Sequence, residues 1–230
     1  MLSVNSFQSL GAVDGPGVRF VVFVQGCNFK CKYCHNPETL SFKTDNMVSK
    51  DELVSRIERY KSFIYDKGGV TFSGGEPLCQ AEKLVGIFRT LKEKGYHIAL
   101  DTNGSIMNDS VKELLEYTDL VLLDLKMPTN DLYNEYIGFS LDTVMGFFKY
   151  LNETDKKVWI RQVIIKGVND TMCNIEFLKG IKEYKNVEKI ELLPFRKLCE
   201  TKYQQLGIEF TMKDFDETDR ETIQKLYNLL

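Results

Sequence analysis

The run Val18 to Val24 (VRFVVFV) has a single charged side chain in seven residues, and a strand of that composition has no face to offer to water. It needs cover on both sides, which in small proteins means helices packed on a parallel sheet. The rest of the chain supplies that cover in a regular alternation. Ser49 and Glu52 form an S-x-x-E capping box, and Leu53, Val54, Ile57 and Tyr60 then share one face, which predicts a helix from about residue 50 that ends before Gly68-Gly69. The pattern continues with strand Val70–Phe72, a helix from about Gln80 closed by Gly95, strand Tyr96–Leu100 and a helix over about 109–117. Strand Leu120–Leu125, a helix over about 141–151, strand Val158–Ile165, a helix over about 170–184, strand Glu188–Leu193 and a last helix near 217–229 complete the series. Six strands in βα units imply parallel pairing with right-handed crossovers, and the expected fold is α/β, a partial (β/α)6 barrel. At 230 residues the chain is expected to be one core domain over 1–230, with 1–17 and 197–230 as extensions.

In such folds ligands lie at the carboxyl ends of the strands, so the residues just past each strand carry the functional reading. After the first strand comes Gly26-Cys27-Asn28-Phe29-Lys30-Cys31-Lys32-Tyr33-Cys34-His35-Asn36-Pro37, and after the second Ser73-Gly74-Gly75-Glu76-Pro77. Asp101-Thr102-Asn103-Gly104 follows the third and Asp124-Leu125-Lys126 the fourth, while the fifth carries Arg161 and the sixth runs into Pro194-Phe195-Arg196. The polar groups therefore converge on one rim. Composition narrows the chemistry further. Thirty Lys+Arg against 33 Asp+Glu give a formal charge of −3, which offers no bulk attraction to nucleic acid. No apolar run approaches the ~20 residues of a membrane span and the first residues lack the pattern of an export signal, so the expected setting is cytoplasmic, with no membrane partner.

Three of the six cysteines crowd into Cys27–Cys34 as C-x3-C-x2-C, which in a reducing compartment points to a metal. Three readings compete. Zinc could take the three thiolates with His35 as the core of an interaction module, but structural zinc usually uses two separated pairs. Cys31-Lys32-Tyr33-Cys34-His35 also matches the c-type haem attachment signature, which leaves Cys27 unexplained. A four-iron cluster held by three cysteines would leave one iron open to a substrate. Cys79, Cys173 and Cys199 are isolated in sequence and read as packing thiols, as His97 reads as a packing side chain within a strand. Two glycines at Gly74-Gly75 allow the backbone to come close to a cationic amine, with the Glu76 carboxylate beside it. Asp124 and Lys126 alternate with Leu125 and so point the same way, an acceptor next to a cation.

The cysteine spacing after the first strand of a six-strand α/β barrel resembles the radical S-adenosylmethionine superfamily. The longer string Gly15-x-Gly17-x-Arg19-x3-Phe23-x2-Gly26-Cys27-x3-Cys31-x2-Cys34-x-Asn36 resembles the signature of activases of glycyl radical enzymes. With Asp14-Gly15-Pro16-Gly17, Tyr33-Cys34-His35-Asn36 and the later motifs in order, the likeness is greatest to the activases of pyruvate formate-lyase. That resemblance implies a [4Fe–4S] cluster on Cys27, Cys31 and Cys34, with S-adenosylmethionine chelating the open iron and cleaved by one electron to a 5′-deoxyadenosyl radical. It implies cofactor contacts at Tyr33, Cys34, His35, Gly74, Gly75, Glu76, Asp101, Asp124, Leu125, Lys126, Arg161 and Arg196, with Lys126 counted among the catalytic groups beside the cysteines. Lys126 or a monovalent cation near Asp101, Thr102 and Asp124 is expected to offset the acidic strand ends.

The implied substrate is one backbone glycine in a loop of the partner, and Asp14-Gly15-Pro16-Gly17 is a candidate to line that loop's path. A flavodoxin or ferredoxin is the implied electron donor, and a monomer is expected. Two departures stand out: Arg196 replaces the histidine expected after Leu-Leu-Pro-aromatic, and Lys166-Gly167 stands where Pro-Gly is usual. The alternatives are an activase of anaerobic ribonucleotide reductase, another radical enzyme of the superfamily, and a zinc-stabilised module.

Overall fold

The amino-terminal residues, expected only as an extension, form a ten-residue strand, β1 (Leu2–Gly11), in which Leu2 and Val4 are buried and polar residues alternate outward. In the computed structural model, which describes residues 1–230, β1 runs antiparallel to β2 (Arg19–Val24), with Val4 opposite Val24 and Gly11 opposite Arg19. A two-residue strand, β3 (Met47–Val48), pairs antiparallel with the start of β1. Helix α1 (Lys50–Glu58) begins where the capping box places it, with the Ser49 side chain accepting from the Glu52 N–H. The expected single helix is interrupted at Arg59-Tyr60, after which α2 (Lys61–Ile64) adds one short turn.

Strand β4 (Gly69–Gly74) lies parallel to β2, and after a 3-10 turn at Pro77–Gln80 helix α3 (Ala81–Glu93) buries Leu84, Val85, Phe88 and Leu91. The next strand, β5 (Ile98–Thr102), starts two residues later than expected because Tyr96 belongs to the helix end. Its N–H reaches back to Leu91 O while Gly95 N–H bonds Lys92 O, and Gly95 sits at φ 83°. Helix α4 (Asp109–Glu116) and strand β6 (Leu120–Asp124) follow as expected. Helix α5 (Asn130–Ile137), capped by Thr129 and ended by Gly138 in the left-handed region, was not expected. Helix α6 (Leu141–Glu153), β7 (Val158–Ile164), α7 (Met172–Lys182) and β8 (Val187–Pro194) were, with ends shifted by one or two residues. An unexpected α8 (Glu200–Leu206) precedes the expected α9 (Arg220–Leu229).

The chain forms two compact units, residues 1–28 with 39–122, and residues 29–38 with 123–230. In the first the strand order is β3-β1-β2-β4-β5-β6; in the second the end of β6 is followed by β7 and β8. β3 and β8 are terminal in that order, so the sheet is not closed, in keeping with a mainly parallel partial barrel in which β1 pairs antiparallel with both β2 and β3. No helix is long and apolar enough to cross a membrane.

Within the first unit two buried charges organise the strand ends. Arg19, fully buried, donates from Nε to Thr71 Oγ1 (2.9 Å), from Nη2 to Val70 O (2.7 Å) and from Nη1 to Pro16 O (3.3 Å) and His97 Nδ1 (3.1 Å). Thr71 Oγ1 donates in turn to Asp14 O at 2.6 Å, so the Asp14–Gly17 turn is pinned at the start of β2, the end opposite Cys27. His97, expected as a packing side chain, is an acceptor in this network and is held neutral by burial and by the adjacent Arg19 cation. At the other end of the strands, Glu76 is 1% exposed and its carboxylate accepts from Leu78 N (2.9 Å), Thr102 Oγ1 (2.6 Å) and Asn103 N (2.7 Å). The loop after β4 is thereby joined to the loop after β5.

Burial raises the Glu76 carboxyl from 4.5 to about 7, against the pull of its three hydrogen bonds. The folded chain therefore keeps a proton that the unfolded chain releases above the ordinary carboxylate range. Stability from this residue is full below that range and falls as pH rises towards 7, by up to roughly 3 kcal/mol. Glu76→Gln removes this titration but leaves the Asn103 N–H facing an amide, at a cost of about 1–3 kcal/mol. Urea unfolding of both chains should show a wild-type advantage that is largest near pH 5 and shrinks towards pH 8; a pH-independent difference would contradict it.

Candidate active site

Strand β2 ends at Val24, and Gly26 turns the chain into the cysteine loop at φ 95°. Its amide bonds Thr39 O (2.8 Å) and its carbonyl accepts from Glu76 N (2.8 Å). Gly75 packs so closely there that a Cβ would lie 2.2 Å from Gly26 O, and Gly74, at φ 101°, would meet Val24 N at 2.6 Å. The glycine pair thus lets the loop after β4 press against the base of the cysteine loop. Glu76, expected beside a cationic amine, has its carboxylate taken up by the three donors already described.

Also in the first unit, Asn103 donates from Nδ2 to Cys27 Sγ at 3.9 Å and to Asn28 Oδ1 at 3.2 Å, and Asn28 in turn donates to Ser105 Oγ at 2.7 Å. Asn103 had stood in the sequence only as part of the Asp101–Gly104 run. Asp101 accepts from Ser73 Oγ at 2.6 Å, and the Thr102 hydroxyl serves Glu76.

The second unit holds the remainder of the loop. Lys30 N bonds Ile137 O, Lys32 N bonds Tyr136 O, and the Phe29 ring packs against Tyr133 and Phe139, so the unexpected α5 is the platform for this stretch. Cys34 N closes a turn on Cys31 O at 3.1 Å. Burial raises the Cys31 thiol to about 12 despite nearby Lys126, and it raises Cys34 as well. None of the six cysteines is in a disulfide, and no three metal-ligating side chains stand gathered into a finished cage.

Lys126 lies 2.7 Å from Asp124 Oδ2 with its side chain 16% exposed. Burial opposes its charge, but the adjacent Asp124 carboxylate outweighs that and holds the ammonium well above its ordinary range. The segment is braced by Leu125 N on Arg161 O (3.1 Å) and by buried Asn169, which donates to Lys126 O (3.4 Å) and Val163 O (2.9 Å). Tyr33 is buried and its hydroxyl has no hydrogen-bond partner. The Arg161 guanidinium pairs with Glu191 at 3.7 Å across β7 and β8. Arg196, standing where a histidine was expected, gives its side chain to Glu217 at 3.2 Å, and its carbonyl accepts from His35 Nε2 at 2.9 Å. A carbonyl only accepts, so the His35 proton is on Nε2; burial lowers this histidine's affinity for a second proton.

The Radical SAM superfamily model matches residues 21–175, which contain the cysteine loop and the strand ends through Arg161. The chain is 41% identical over 99% of its length to the pyruvate formate-lyase-activating enzyme of Clostridium pasteurianum, covering 96% of that protein. It is 38% identical, again over 99% of its length, to pyruvate formate-lyase 1-activating enzyme of Escherichia coli K12, covering 94% of it. A solved domain of the pyruvate-formate lyase-activating enzyme of Bacteroides vulgatus aligns with 71% of this chain and 92% of its own at a TM-score of 0.57 and 28% identity. A cysteine loop following β2, parallel strands ending in the Gly-Gly-Glu and Asp-x-Lys groups, and near full-length identity at this level place the chain in the radical SAM superfamily, within the family of pyruvate formate-lyase activating enzymes.

Proposed function

We propose that the chain activates pyruvate formate-lyase by removing a hydrogen atom from one backbone glycine of that enzyme, with S-adenosylmethionine as cosubstrate and Cys27, Cys31 and Cys34 as the ligands of a [4Fe–4S] cluster. The observation that carries this reading is the identity of 38–41% over 99% of the chain with proteins so named. The residues present fit the group. Three thiols outside any disulfide share one loop, a buried ammonium stands beside Cys31, and the buried Tyr33 hydroxyl lacks the partner that an adjacent ligand would supply. When bound, the cluster supplies the one electron that breaks the sulfonium S–C5′ bond.

The chain's own residues divide the remaining work. Cys31 and Cys34 hold their protons in the absence of metal, so metal binding must release protons and becomes stronger as pH rises. Lys126, fixed by Asp124, keeps a permanent cation beside Cys31, suited to offset thiolate charge and to receive the carboxylate of the methionyl group. Glu76 and Asn103 hold the loops after β4 and β5 around Cys27, and Gly74-Gly75 presents backbone carbonyls for the methionyl amine. By the family resemblance Tyr33 and His35 serve the adenine side, and Arg161 and Asp101 are further cofactor contacts. Arg196, engaged by Glu217, serves here through its carbonyl on His35. The reading includes a monovalent cation near Asp101, Thr102 and Asp124, drawn from the two acidic strand ends, and a flavodoxin or ferredoxin as electron donor.

Anaerobically reconstituted protein should be brown with about four irons per chain. With a strong reductant and S-adenosylmethionine it should release 5′-deoxyadenosine and give pyruvate formate-lyase a glycyl radical signal in electron paramagnetic resonance. A colourless zinc protein, or cofactor cleavage with no radical on the partner, would overturn the reading. Cys31→Ser should abolish deoxyadenosine release while leaving the apoprotein folded by circular dichroism. Lys126→Met should raise the KM for S-adenosylmethionine roughly 10–100-fold, the range seen when a group supporting a metal site is lost; an unchanged KM would remove Lys126 from the cofactor site.

A further inference from the structure

The residues that grip the last cysteine of the loop come from the far end of the chain. Lys202, in α8, aims its ammonium at three acceptors: His35 O at 3.0 Å, Asn36 Oδ1 at 3.2 Å and Glu38 Oε1 at 2.6 Å. An ammonium has three N–H bonds, so its donors are all engaged. The next residue, Tyr203, donates its hydroxyl to Cys34 O at 3.1 Å, and Arg196 O receives the His35 ring proton. Consecutive side chains diverge by about 100° around a helix. One turn of α8 therefore holds both the carbonyl of Cys34 and the residues that follow it. Neither Lys202 nor Tyr203 belongs to any motif that identified the site.

We infer that Lys202 is a positioning residue for the cluster loop: it fixes the Cys34 end of the loop in its ligand-presenting shape and sets the charge beside that sulfur, in balance with Glu38. The inference rests on the proposed reading of the cysteines as cluster ligands. Charge and geometry act together here. Lys202 and Glu38 form an ion pair of 2.6 Å beside the residues that follow Cys34. The ion pair is about one-third exposed on each side, so solvent screens part of its effect and the backbone contacts to Cys34 and His35 carry the loop's shape. Removing the ammonium takes one donor from His35 O, Asn36 Oδ1 and Glu38 Oε1 together.

Reconstituted wild type, Lys202→Arg, Lys202→Met, Glu38→Gln and the Met–Gln double variant distinguish the two roles. The readouts are iron release to a ferrous chelator under nitrogen and the midpoint potential of the cluster followed by electron paramagnetic resonance. Cluster reduction adds negative charge, so Lys202→Met should shift the potential negative and Glu38→Gln positive, with the double variant returning towards wild type. Iron release should rise about tenfold in Lys202→Met and stay high in the double variant, because charge balance does not restore the lost hydrogen bonds. Lys202→Arg should recover most of both properties. If Lys202→Met matches a cluster-bearing wild type in potential and iron retention, the inference alone falls. Should that variant fail to fold, an unmoved potential in Glu38→Gln has the same force. A wild type that takes up no iron brings down the functional reading and this inference with it.

Discussion

A thiol buried away from water resists ionisation, and a metal-binding loop built from such thiols depends on positive charge placed beside it. The second unit meets that need from two directions. Lys126, locked to Asp124, faces the neighbourhood of Cys31, while Lys202 and its partner Glu38 stand next to Cys34. Cys27 is treated differently: a neutral amide, Asn103, is its donor, held in place by the Glu76 carboxylate through the Asn103 backbone. The loop is thus supported by unlike means at its two ends, fixed charges after Cys31 and a neutral hydrogen-bond network before it.

The Gly-Gly-Glu group illustrates how one motif can combine packing with chemistry. Its glycines allow the chain to approach Gly26 more closely than any side chain would permit, and its carboxylate organises three backbone and hydroxyl donors. Sequence alone suggested an acidic group facing a ligand. The fold turns that group inward, where it ties the loop after β4 to the loop after β5.

What could be read from the sequence follows from how local each signal is. Strands β2 and β6 announced themselves because their apolar runs are continuous, β4 and β7 because apolar residues recur between turn signals, and α1, α3 and α6 because their apolar residues keep the helical period. Strand β1 escaped notice since Leu2 and Val4 are followed by a polar, serine-containing stretch whose pairing is set by β2 rather than by its own composition. Helices α5 and α8 are one to two turns long, and their stability comes from tertiary contacts; Tyr133, Tyr136 and Ile137 at helical spacing, with Gly138 as a stop, were the available signal for the first. The cysteines were legible from spacing. Asn103, Lys202 and Tyr203 were not, because their partners lie far along the chain and no local pattern marks a lysine that will meet a carbonyl more than 160 residues earlier.

That long separation orders events during synthesis. The ribosome delivers Cys27 to Cys34 first, and α8, which clasps the carbonyl of Cys34 and the residues beyond it, emerges more than 160 residues later. Chains are made at roughly 5–20 residues per second, so the nascent thiols spend on the order of ten seconds without their clasp. Iron delivered in that interval would meet an unbraced loop, and the shape described here is available only once α8 has been made.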